Sequence, residues 1–231
     1  MWLKYFHDGG VLSSEKICIC TIESTCFFTR ALKDGKYLIM DFTCAILAGG
    51  KSRRMGRDKA TLMVGNKPLI NQVYDKAKRV FKEVIILSNH HNGISGIDAP
   101  ILKDVFPVQG PMVGIVSALI LARTPYVFVL ACDMPNITEK AIEYMISEAH
   151  GEDVIIPKTS SGYEPLHAIY NRSCISYMLR FIEMNRLQIT ALFPYLFVRE
   201  LIEYPYFFDK GVSVFTNINA EEDIPVARNL D

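Results

Sequence analysis

Short apolar runs alternate with amphipathic segments from about residue 44 to the end of the chain. Four runs predict buried strands, over residues 45–47, 84–87, 126–131 and, more weakly, 154–156. Continuous apolar runs of this kind are typical of strands covered on both faces. Apolar positions at helical spacing predict three helices between the runs, one starting at Pro68, one opened by Gly110 and Pro111, and one capped by Thr138. The pattern therefore predicts a three-layer α/β/α fold, with a mostly parallel open sheet and helices on both faces.

The first forty residues do not follow this alternation. They form neither a clear helical pattern nor a strand–helix–strand unit, and Met40 directly precedes the first convincing strand. We therefore predict one domain over residues 41–231, preceded by an N-terminal extension of unknown role over residues 1–40. Expression of residues 40–231 tests this division, because loss of folding would show that the extension is structural.

Composition indicates one large globular domain. The 231 residues are 50% hydrophobic and 22% charged, and the 25 cations balance the 25 anions. With no net charge to attract nucleic acid or an anionic membrane, any phosphate binding has to come from locally placed cations, and we expect neither partner. Six cysteines without a C-x-x-C pair, and no apolar stretch near the roughly 18 residues of a membrane span, predict a cytoplasmic protein.

A glycine turn rich in cations follows the first buried strand. Gly49 and Gly50 permit the positive φ and the close backbone approach that phosphate oxygens require. Five cations come next, at Lys51, Arg53, Arg54, Arg57 and Lys59. Lys59 is the preferred catalytic candidate, because a flexible ammonium can follow negative charge from an α-phosphorus to departing pyrophosphate, and Arg54 is the second candidate. An ordinary strand-to-helix turn with solvated charges is the alternative.

Two carboxylates follow predicted strands. Asp133 ends the run over residues 126–131, and Pro135 stops the strand soon after, so Asp133 is expected to face the crevice at the strand ends. Mg²⁺ prefers such hard oxygen ligands and needs only one or two where a triphosphate also binds, which makes Asp133 the predicted magnesium ligand. Asp104 precedes a second glycine turn, at Gly110 and Gly114, and could bind the nucleotide or its metal. A turn-starting or solvated aspartate is the alternative for each.

Several amides and one glutamate are further candidates. Asn89 ends the run over residues 84–87, where an amide can read a base edge or cap a turn. Asn217 and Asn219 are predicted near the edge of the crevice, where helix capping would also explain one of them. Glu164 interrupts the strand pattern and is compatible with either an acceptor pocket or a structural turn. No nucleophile elbow, Cys/His pair or histidine metal spacing occurs, so direct transfer between two bound substrates is the simpler chemistry.

Four ordered motifs carry a family resemblance over about residues 42–231. Residues 47–59 fit the pattern L-A-G-G-x-S-x-R-M-G-x-D-K, and an aspartate followed by G-P-x-x-G appears as Asp104 and residues 110–114. C-D-M-P follows at residues 132–135 and N-I-N-x-x-E-D at residues 217–223. With these motifs the chain resembles the molybdenum cofactor guanylyltransferases, nucleotidyltransferases with a Rossmann-like α/β fold.

The resemblance implies transfer of GMP from GTP to molybdopterin, which gives molybdopterin guanine dinucleotide and pyrophosphate. It implies that Asp133 holds Mg²⁺ and that GTP is held by the backbone of Leu47, Ala48 and Gly49 together with Lys59, Asn89 and Asp104. The residue types and their positions make Lys59, Asp133 and Arg54 the catalytic candidates. They add Gly50 and Asp133 to the expected nucleotide-binding residues, with Gly114, Asn217 and Asn219 as secondary candidates. The implied partners are GTP, molybdopterin and proteins that deliver or receive the cofactor.

Related cytidylyltransferases read L-A-A-G where this chain has Gly49. A missing methyl beside the base would leave room for a purine, which favours GTP over CTP. Departures at Glu164, where the family often has Gln, and at Asn219-Ala220-Glu221, where it often reads N-T-P, concern contacts to the acceptor. Two alternatives stay open: a related nucleotidyltransferase using CTP or another phosphorylated acceptor, and a non-catalytic nucleotide-binding protein.

Overall fold

The structure, a computed structural model, describes residues 16–20, 26–30, 42–49, 59–89, 93–202 and 205–218. The chain divides into two compact units, Met1–Ile39 and Met40–Asp231. In the first unit, strands β1 (Lys16–Cys20) and β2 (Cys26–Arg30) form an antiparallel pair. Whether residues 41–231 fold and work without the extension stays a prediction.

The second unit alternates strands with helices as predicted. Its strands are β3 (Phe42–Leu47), β4 (Met63–Val64), β5 (Lys67–Pro68), β6 (Glu83–Leu87), β7 (Ile101–Leu102), β8 (Tyr126–Ala131), β9 (Val154–Thr159), β10 (Gly162–Tyr163), β11 (His167–Asn171), β12 (Val198–Ile202), β13 (Phe208–Asp209) and β14 (Val212–Ser213). Its helices are α1 (Leu69–Val80), α2 (Pro111–Leu121), α3 (Glu139–Ser147) and α4 (Cys174–Glu183), with 3₁₀ turns at Lys59–Thr61, Ile189–Tyr195 and Pro205–Phe207. The three predicted helices and four predicted strands are all confirmed.

The helices form where apolar spacing and end signals coincide. Helix α1 buries Leu69, Ile70, Val73, Tyr74 and Ala77 on one face, at the i, i+1, i+4, i+5 and i+8 spacing of a single helical stripe. At the start of α3, the Thr138 hydroxyl accepts a hydrogen bond from the Ala141 amide at 3.1 Å, as the sequence predicts for a cap. Helix α1 packs against α3, and α2 packs against α4.

The main sheet is mixed, with mostly parallel strands at its centre. Its order is β10-β9-β11-β8-β3-β6-β7, and β12 pairs with β9. Strand β3 is parallel to β6 and β8, β6 is parallel to β7, and β12 is parallel to β9, whereas β10 and β11 run antiparallel to their neighbours. The predicted α/β fold class is confirmed.

The strand order reverses at β3. The chain leaves β3 for β6 and β7 on one side, then returns through α2 to β8 on the other side. In open α/β sheets a ligand crevice lies outside the carboxyl ends of the strands at such a reversal. Leu47 at the end of β3 lies opposite Ala131 at the end of β8, so the residues that follow these strands emerge side by side.

Candidate active site

Asp133 emerges at the carboxyl end of β8, two residues beyond the last strand residue. Its loop is held by backbone hydrogen bonds on both sides: the Cys132 amide donates to the Leu47 carbonyl at 3.2 Å, and the Ile218 amide donates to the Asp133 carbonyl at 2.9 Å. From α1, the Lys76 ammonium donates to the Pro135 carbonyl at 2.6 Å. The Asp133 side chain is half-buried. A rigid loop therefore presents this carboxylate beside the turn that follows β3.

The first backbone groups of the turn after β3 are hydrogen-bonded to the ends of the neighbouring strands. The Ala48 amide donates to the Leu87 carbonyl at 2.8 Å, and the Leu47 carbonyl accepts from Cys132. Gly49 is exposed, and a Cβ added to it would meet nothing within 4 Å. The expectation of a positive φ is wrong for Gly49, because its φ lies outside the left-handed region. Its lack of a side chain leaves open space beside the turn instead.

The predicted cations belong to a stretch that the structure does not cover at the side-chain level. Gly50 and Arg54 lie outside the described residues, and for Lys59 only the backbone, at the start of a 3₁₀ turn, is described. The chain just beyond that turn lies close to the Asp133 loop. Val64 and Leu69 form a buried cluster with Ile218, whose amide donates to the Asp133 carbonyl. The contact of Lys59 or Arg54 with a nucleotide stays a prediction.

Asn89 and Asp104 lie together on the other side of β3. The Asn89 Nδ2 donates to Asp104 Oδ2 at 2.7 Å, and the Asp104 amide donates to Asn89 Oδ1 at 3.1 Å. Burial raises the pKa of the Asp104 carboxyl, and the hydrogen bond from Asn89 opposes that rise. The amide of Asn89 is thus fully oriented by Asp104.

Gly114 explains how these groups fit against β3. A Cβ on Gly114 would lie 3.1 Å from Leu47 Cδ1 and 3.8 Å from Asp104 Oδ1. Glycine therefore lets α2 approach the Leu47 side chain without displacing it, whereas the distance to Asp104 is an ordinary contact. The structure places Leu47, Gly49, Asp104 and Asp133 at the carboxyl ends of β3, β7 and β8, with Gly114 of α2 packed against Leu47.

The structure describes one of the two C-terminal asparagines that the sequence predicts near the crevice. Asn217 is exposed and directly precedes Ile218, so it lies next to the Asp133 loop. Asn219 lies outside the described residues. The expected position near the crevice is therefore described for Asn217 alone.

Glu164 lines a cavity of about 280 Å³ at the carboxyl end of β9. The aromatic residues that share this cavity, Phe207, Phe208 and Phe215, are site features that the sequence analysis missed. They come from a segment about fifty residues beyond β9, so local spacing could not place them. The density of aromatic residues around Pro205 is the signal that could have drawn attention to them.

Within the described ranges, no three His, Cys, Asp or Glu side chains are grouped as a self-sufficient metal site. One carboxylate with phosphate oxygens and water is the arrangement that magnesium sites with nucleotides use. No helix in these ranges is long and apolar enough to cross a bilayer.

The sheet reversal, the glycine turn and the carboxylate after β8 define a nucleotidyltransferase of the α/β class. The model of the MobA-like NTP transferase domain matches residues 44–192, and the chain belongs to that family. A molybdenum cofactor guanylyltransferase of Desulfosudis oleivorans (strain DSM 6200 / JCM 39069 / Hxd3) is 34% identical over 188 residues, which cover 80% of this chain and 93% of that protein. A probable molybdenum cofactor guanylyltransferase of Pelotomaculum thermopropionicum is 33% identical over 192 residues, covering 82% and 93%. The family resemblance is confirmed, and the chain is an enzyme of molybdenum cofactor biosynthesis.

Solved structures agree with this assignment. Molybdopterin-guanine dinucleotide biosynthesis protein A of Archaeoglobus fulgidus superposes with a TM-score of 0.70 at 29% identity, covering 81% of this chain and 97% of that one. A 4-diphosphocytidyl-2C-methyl-D-erythritol synthase of Anaerococcus prevotii superposes with a TM-score of 0.61 at 12% identity, covering 82% and 97%. At that identity the second likeness shows the shared fold alone.

Proposed function

We propose that the protein transfers GMP from GTP to molybdopterin, with release of pyrophosphate. The observation that carries this proposal is the junction of two strand ends: the Cys132 amide is bonded to the Leu47 carbonyl, so Asp133 emerges beside the glycine turn in a member of this family. One bound triphosphate can reach both elements. We keep the cytoplasm as the expected location, with molybdopterin-delivering or product-receiving proteins as partners.

The nucleotide lies on the β3, β6 and β7 side of the crevice in this proposal. The space at Gly49 supports a purine next to the turn, because neither a methyl nor a side chain of the residues that the structure describes occupies it. Asp104 contacts the nucleotide directly, whereas Asn89 orients Asp104, since its Nδ2 donates to the Asp104 carboxylate and its Oδ1 accepts from the Asp104 backbone amide. This refines the expectation that Asn89 itself reads the base.

Asp133 is the residue that would hold Mg²⁺. Its half-buried carboxylate at the end of β8 offers the hard oxygen donors that this ion prefers, and phosphate and water oxygens complete such a shell. The ion would neutralise triphosphate charge when bound. The loop around Asp133 is fixed by the bonds from Ile218 and Lys76, which keeps the carboxylate oriented before substrates arrive.

The reaction is a direct displacement. A terminal phosphate oxygen of molybdopterin forms a bond to the α-phosphorus of GTP while the bond from that phosphorus to the bridging oxygen of pyrophosphate breaks. Lys59, with Arg54 as the second candidate, neutralises the charge that builds on the leaving pyrophosphate. The protein contributes positioning and electrostatics rather than a covalent intermediate.

Product identification by mass spectrometry, with GTP, Mg²⁺ and molybdopterin present, is the decisive experiment. The wild-type protein should form molybdopterin guanine dinucleotide and pyrophosphate. Asp133→Asn should lower turnover by about 10²-fold or more, and Lys59→Ala should cost about 2 to 4 kcal/mol of transition-state stabilisation, as for other preorganised charge stabilisers. Asp98→Asn, which removes an exposed carboxylate paired with Lys78, is the matched control and should leave turnover unchanged.

Three outcomes would contradict the proposal. Wild-type turnover by Asp133→Asn would remove that residue from its role. Preferred use of CTP in a competition among four nucleotides would favour the related cytidylyltransferases. Absence of pyrophosphate release under all these conditions would favour a non-catalytic nucleotide-binding protein.

A further inference from the structure

The cavity at the carboxyl end of β9 has an unusual lining. Its walls combine three phenylalanines with five hydroxyl side chains and one carboxylate. The lining includes Thr159, Glu164, Phe207, Phe208, Phe215 and Thr216. Glu164 is the one charged side chain among the lining residues that the structure describes. Without a cation in that lining, the cavity does not suit a phosphate group.

The main chain of Glu164 is held in place beside this cavity. Its amide donates to the Pro157 carbonyl at 3.0 Å, and its carbonyl accepts from the His167 amide at 3.0 Å. The side chain is half-buried, and burial raises its pKa to about 6. At neutral pH, above this pKa, the carboxylate form predominates, and an ionised carboxylate can only accept hydrogen bonds.

Two of the five hydroxyl groups in the lining have their protons engaged elsewhere. The Thr159 hydroxyl donates to the Gly162 carbonyl at 3.1 Å, and the Thr216 hydroxyl donates to the Ser213 carbonyl at 2.8 Å. Each hydroxyl oxygen then presents a lone pair rather than a proton. The cavity thus offers acceptors, between aromatic walls, to a ligand that brings its own N–H donors.

A pterin ring matches this chemistry. Its pyrimidinone edge carries a ring N–H next to an exocyclic amino group, and two parallel donors fit the two oxygens of one carboxylate. The flat aminopyrimidinone part of the ring system suits the rings of Phe207, Phe208 and Phe215. Molybdopterin joins such a ring to a phosphate at its other end, which the carboxylate would repel.

The cavity also lies on the correct side of the crevice for the acceptor. Strands β9, β10 and β11 are on one side of β8, whereas β6 and β7, which lead to Asn89 and Asp104, are beyond β3 on the other side. Two backbone bonds tie the cavity segments to the end of β8: the Ala131 amide donates to the Leu166 carbonyl at 2.9 Å, and the Ile218 amide donates to the Asp133 carbonyl at 2.9 Å. An acceptor seated there has Asp133 between it and the nucleotide side.

Resting on the proposed function, we infer that this cavity binds the pterin ring of molybdopterin, with Glu164 accepting hydrogen bonds from its aminopyrimidinone edge. The ring enters the cavity, and the phosphate end points towards Asp133. Glu164 is accordingly a substrate-orienting and specificity-determining residue. It takes no part in bond making.

A direct binding experiment tests this inference with two fluorescent probes, 6-hydroxymethylpterin and the matching lumazine, in which a second oxo group replaces the amino group. The wild-type protein should bind the pterin about tenfold or more tightly than the lumazine, because only the pterin offers the paired donors. Glu164→Gln should lose that preference, and Glu200→Gln, which alters a carboxylate outside the lining, should keep it. Equal binding of both probes by the wild-type protein would overturn the inference.

Competition by GTP removes one ambiguity, because guanine carries the same donor edge as a pterin. Saturating GTP should leave pterin binding in place, since the proposed nucleotide site lies beyond β3. Displacement of the pterin by GTP would assign the cavity to guanine and would overturn the inference.

Kinetics separates this inference from the proposed function. Glu164→Gln should raise the KM for molybdopterin about tenfold or more while leaving the KM for GTP unchanged, and it should remove the loss of wild-type kcat/KM for molybdopterin below about pH 6. A wild-type protein that prefers pterin yet transfers no GMP would refute the reaction and uphold the pterin site. A wild-type protein that transfers GMP while Glu164→Gln matches its KM and pH profile would refute the role of Glu164 alone.

Discussion

Asn89 and Asp104 are joined by two hydrogen bonds that together use both polar atoms of the asparagine amide. The Asn89 Nδ2 stabilises the ionised form of the Asp104 carboxylate, and the Asp104 amide fixes which way the Asn89 amide faces. The pKa of Asp104 is nevertheless raised, because the effect of burial exceeds that of the hydrogen bond. The proposed nucleotide half of the site thus contains a carboxylate whose ionisation depends on its neighbour.

Replacing Asn89 with alanine should therefore weaken GTP use most strongly at acidic pH. Loss of the donor raises the pKa of Asp104 further, so a higher pH is needed to ionise it, and the acid limb of kcat/KM for GTP should move to higher pH. The loss at neutral pH should be about 1 to 3 kcal/mol, the cost of leaving a buried acceptor unsatisfied. Asn71→Ala, which removes an amide bonded to the Ser95 carbonyl, is the control, and a matching shift in that variant would contradict the assignment.

Gly49→Ala should change nucleotide choice without changing stability. The added methyl meets no atom of the described residues within 4 Å, and the φ of Gly49 lies outside the left-handed region that disfavours alanine. We expect kcat/KM for GTP to fall by about tenfold, corresponding to about 1.4 kcal/mol, while kcat/KM for CTP changes little. The melting temperature should stay unchanged. An equal fall for both nucleotides would show that the space at Gly49 does not discriminate between bases.

Gly114→Ala should disturb the turn through Leu47. Its Cβ would lie 3.1 Å from Leu47 Cδ1, a contact that requires the leucine to move, and overpacking of this kind costs about 1 to 3 kcal/mol. Both the unfolding free energy and the affinity for GTP should fall. The double variant Gly114→Ala with Leu47→Val should recover part of the affinity, because valine is shorter. No recovery would mean that the contact with Asp104, at 3.8 Å, matters more.

His167 should make the protein lose stability as the pH falls. It is buried, its ring lies 5.4 Å from Phe128 and 5.0 Å from Phe215 between centroids, and burial lowers its pKa to about 3. In the described part of the chain neither ring nitrogen has a hydrogen-bond partner. Below about pH 6.5 the unfolded chain takes up a proton at this residue and the folded chain does not, so the folded state loses stability.

The test compares His167→Phe with the wild type by chemical denaturation at pH 7.5 and pH 5. The wild-type protein should lose about 2 kcal/mol more than the variant over this interval, at about 1.4 kcal/mol per pH unit below 6.5. His150→Gln, at an exposed histidine, should behave like the wild type. Parallel losses in His167→Phe and the wild type would contradict a neutral buried histidine.

Local sequence patterns predict the central fold well. Strand β8 and the Thr138 cap follow from apolar runs and end signals within a few residues, and the position of Asp133 follows from the rule for strand ends. Helix α4 is a missed element that carries its own signal, since Met178 and Phe181 are buried at helical spacing. The antiparallel insertion of β11 between β8 and β9 was not predicted, because strand order depends on pairing between distant segments.

Local sequence patterns likewise identify some residues of the candidate site and miss others. Asp133 and Gly114 could be named from motifs, because each lies directly after or within a recognisable element. The mutual orientation of Asn89 and Asp104 could not, since it depends on how two loops fold against each other. The cavity around Glu164 needs Phe207 and Phe215, which are adjacent to it only because the chain returns to β9 after α4 and β12. A contact between segments some fifty residues apart cannot be predicted from local sequence patterns.

The order of the strands also separates the two halves of the site along the chain. The proposed nucleotide-side residues Leu47, Gly49, Asn89, Asp104 and Gly114 precede α3, whereas the cavity around Glu164, the proposed pterin site, is lined by residues that follow it. A recombination joint within α3 would exchange acceptor preference between relatives and leave the donor nucleotide unchanged, since this fold hosts varied specificities on one frame. A single crossover within α3 should therefore produce chimeric enzymes that combine the donor nucleotide of one relative with the acceptor substrate of another.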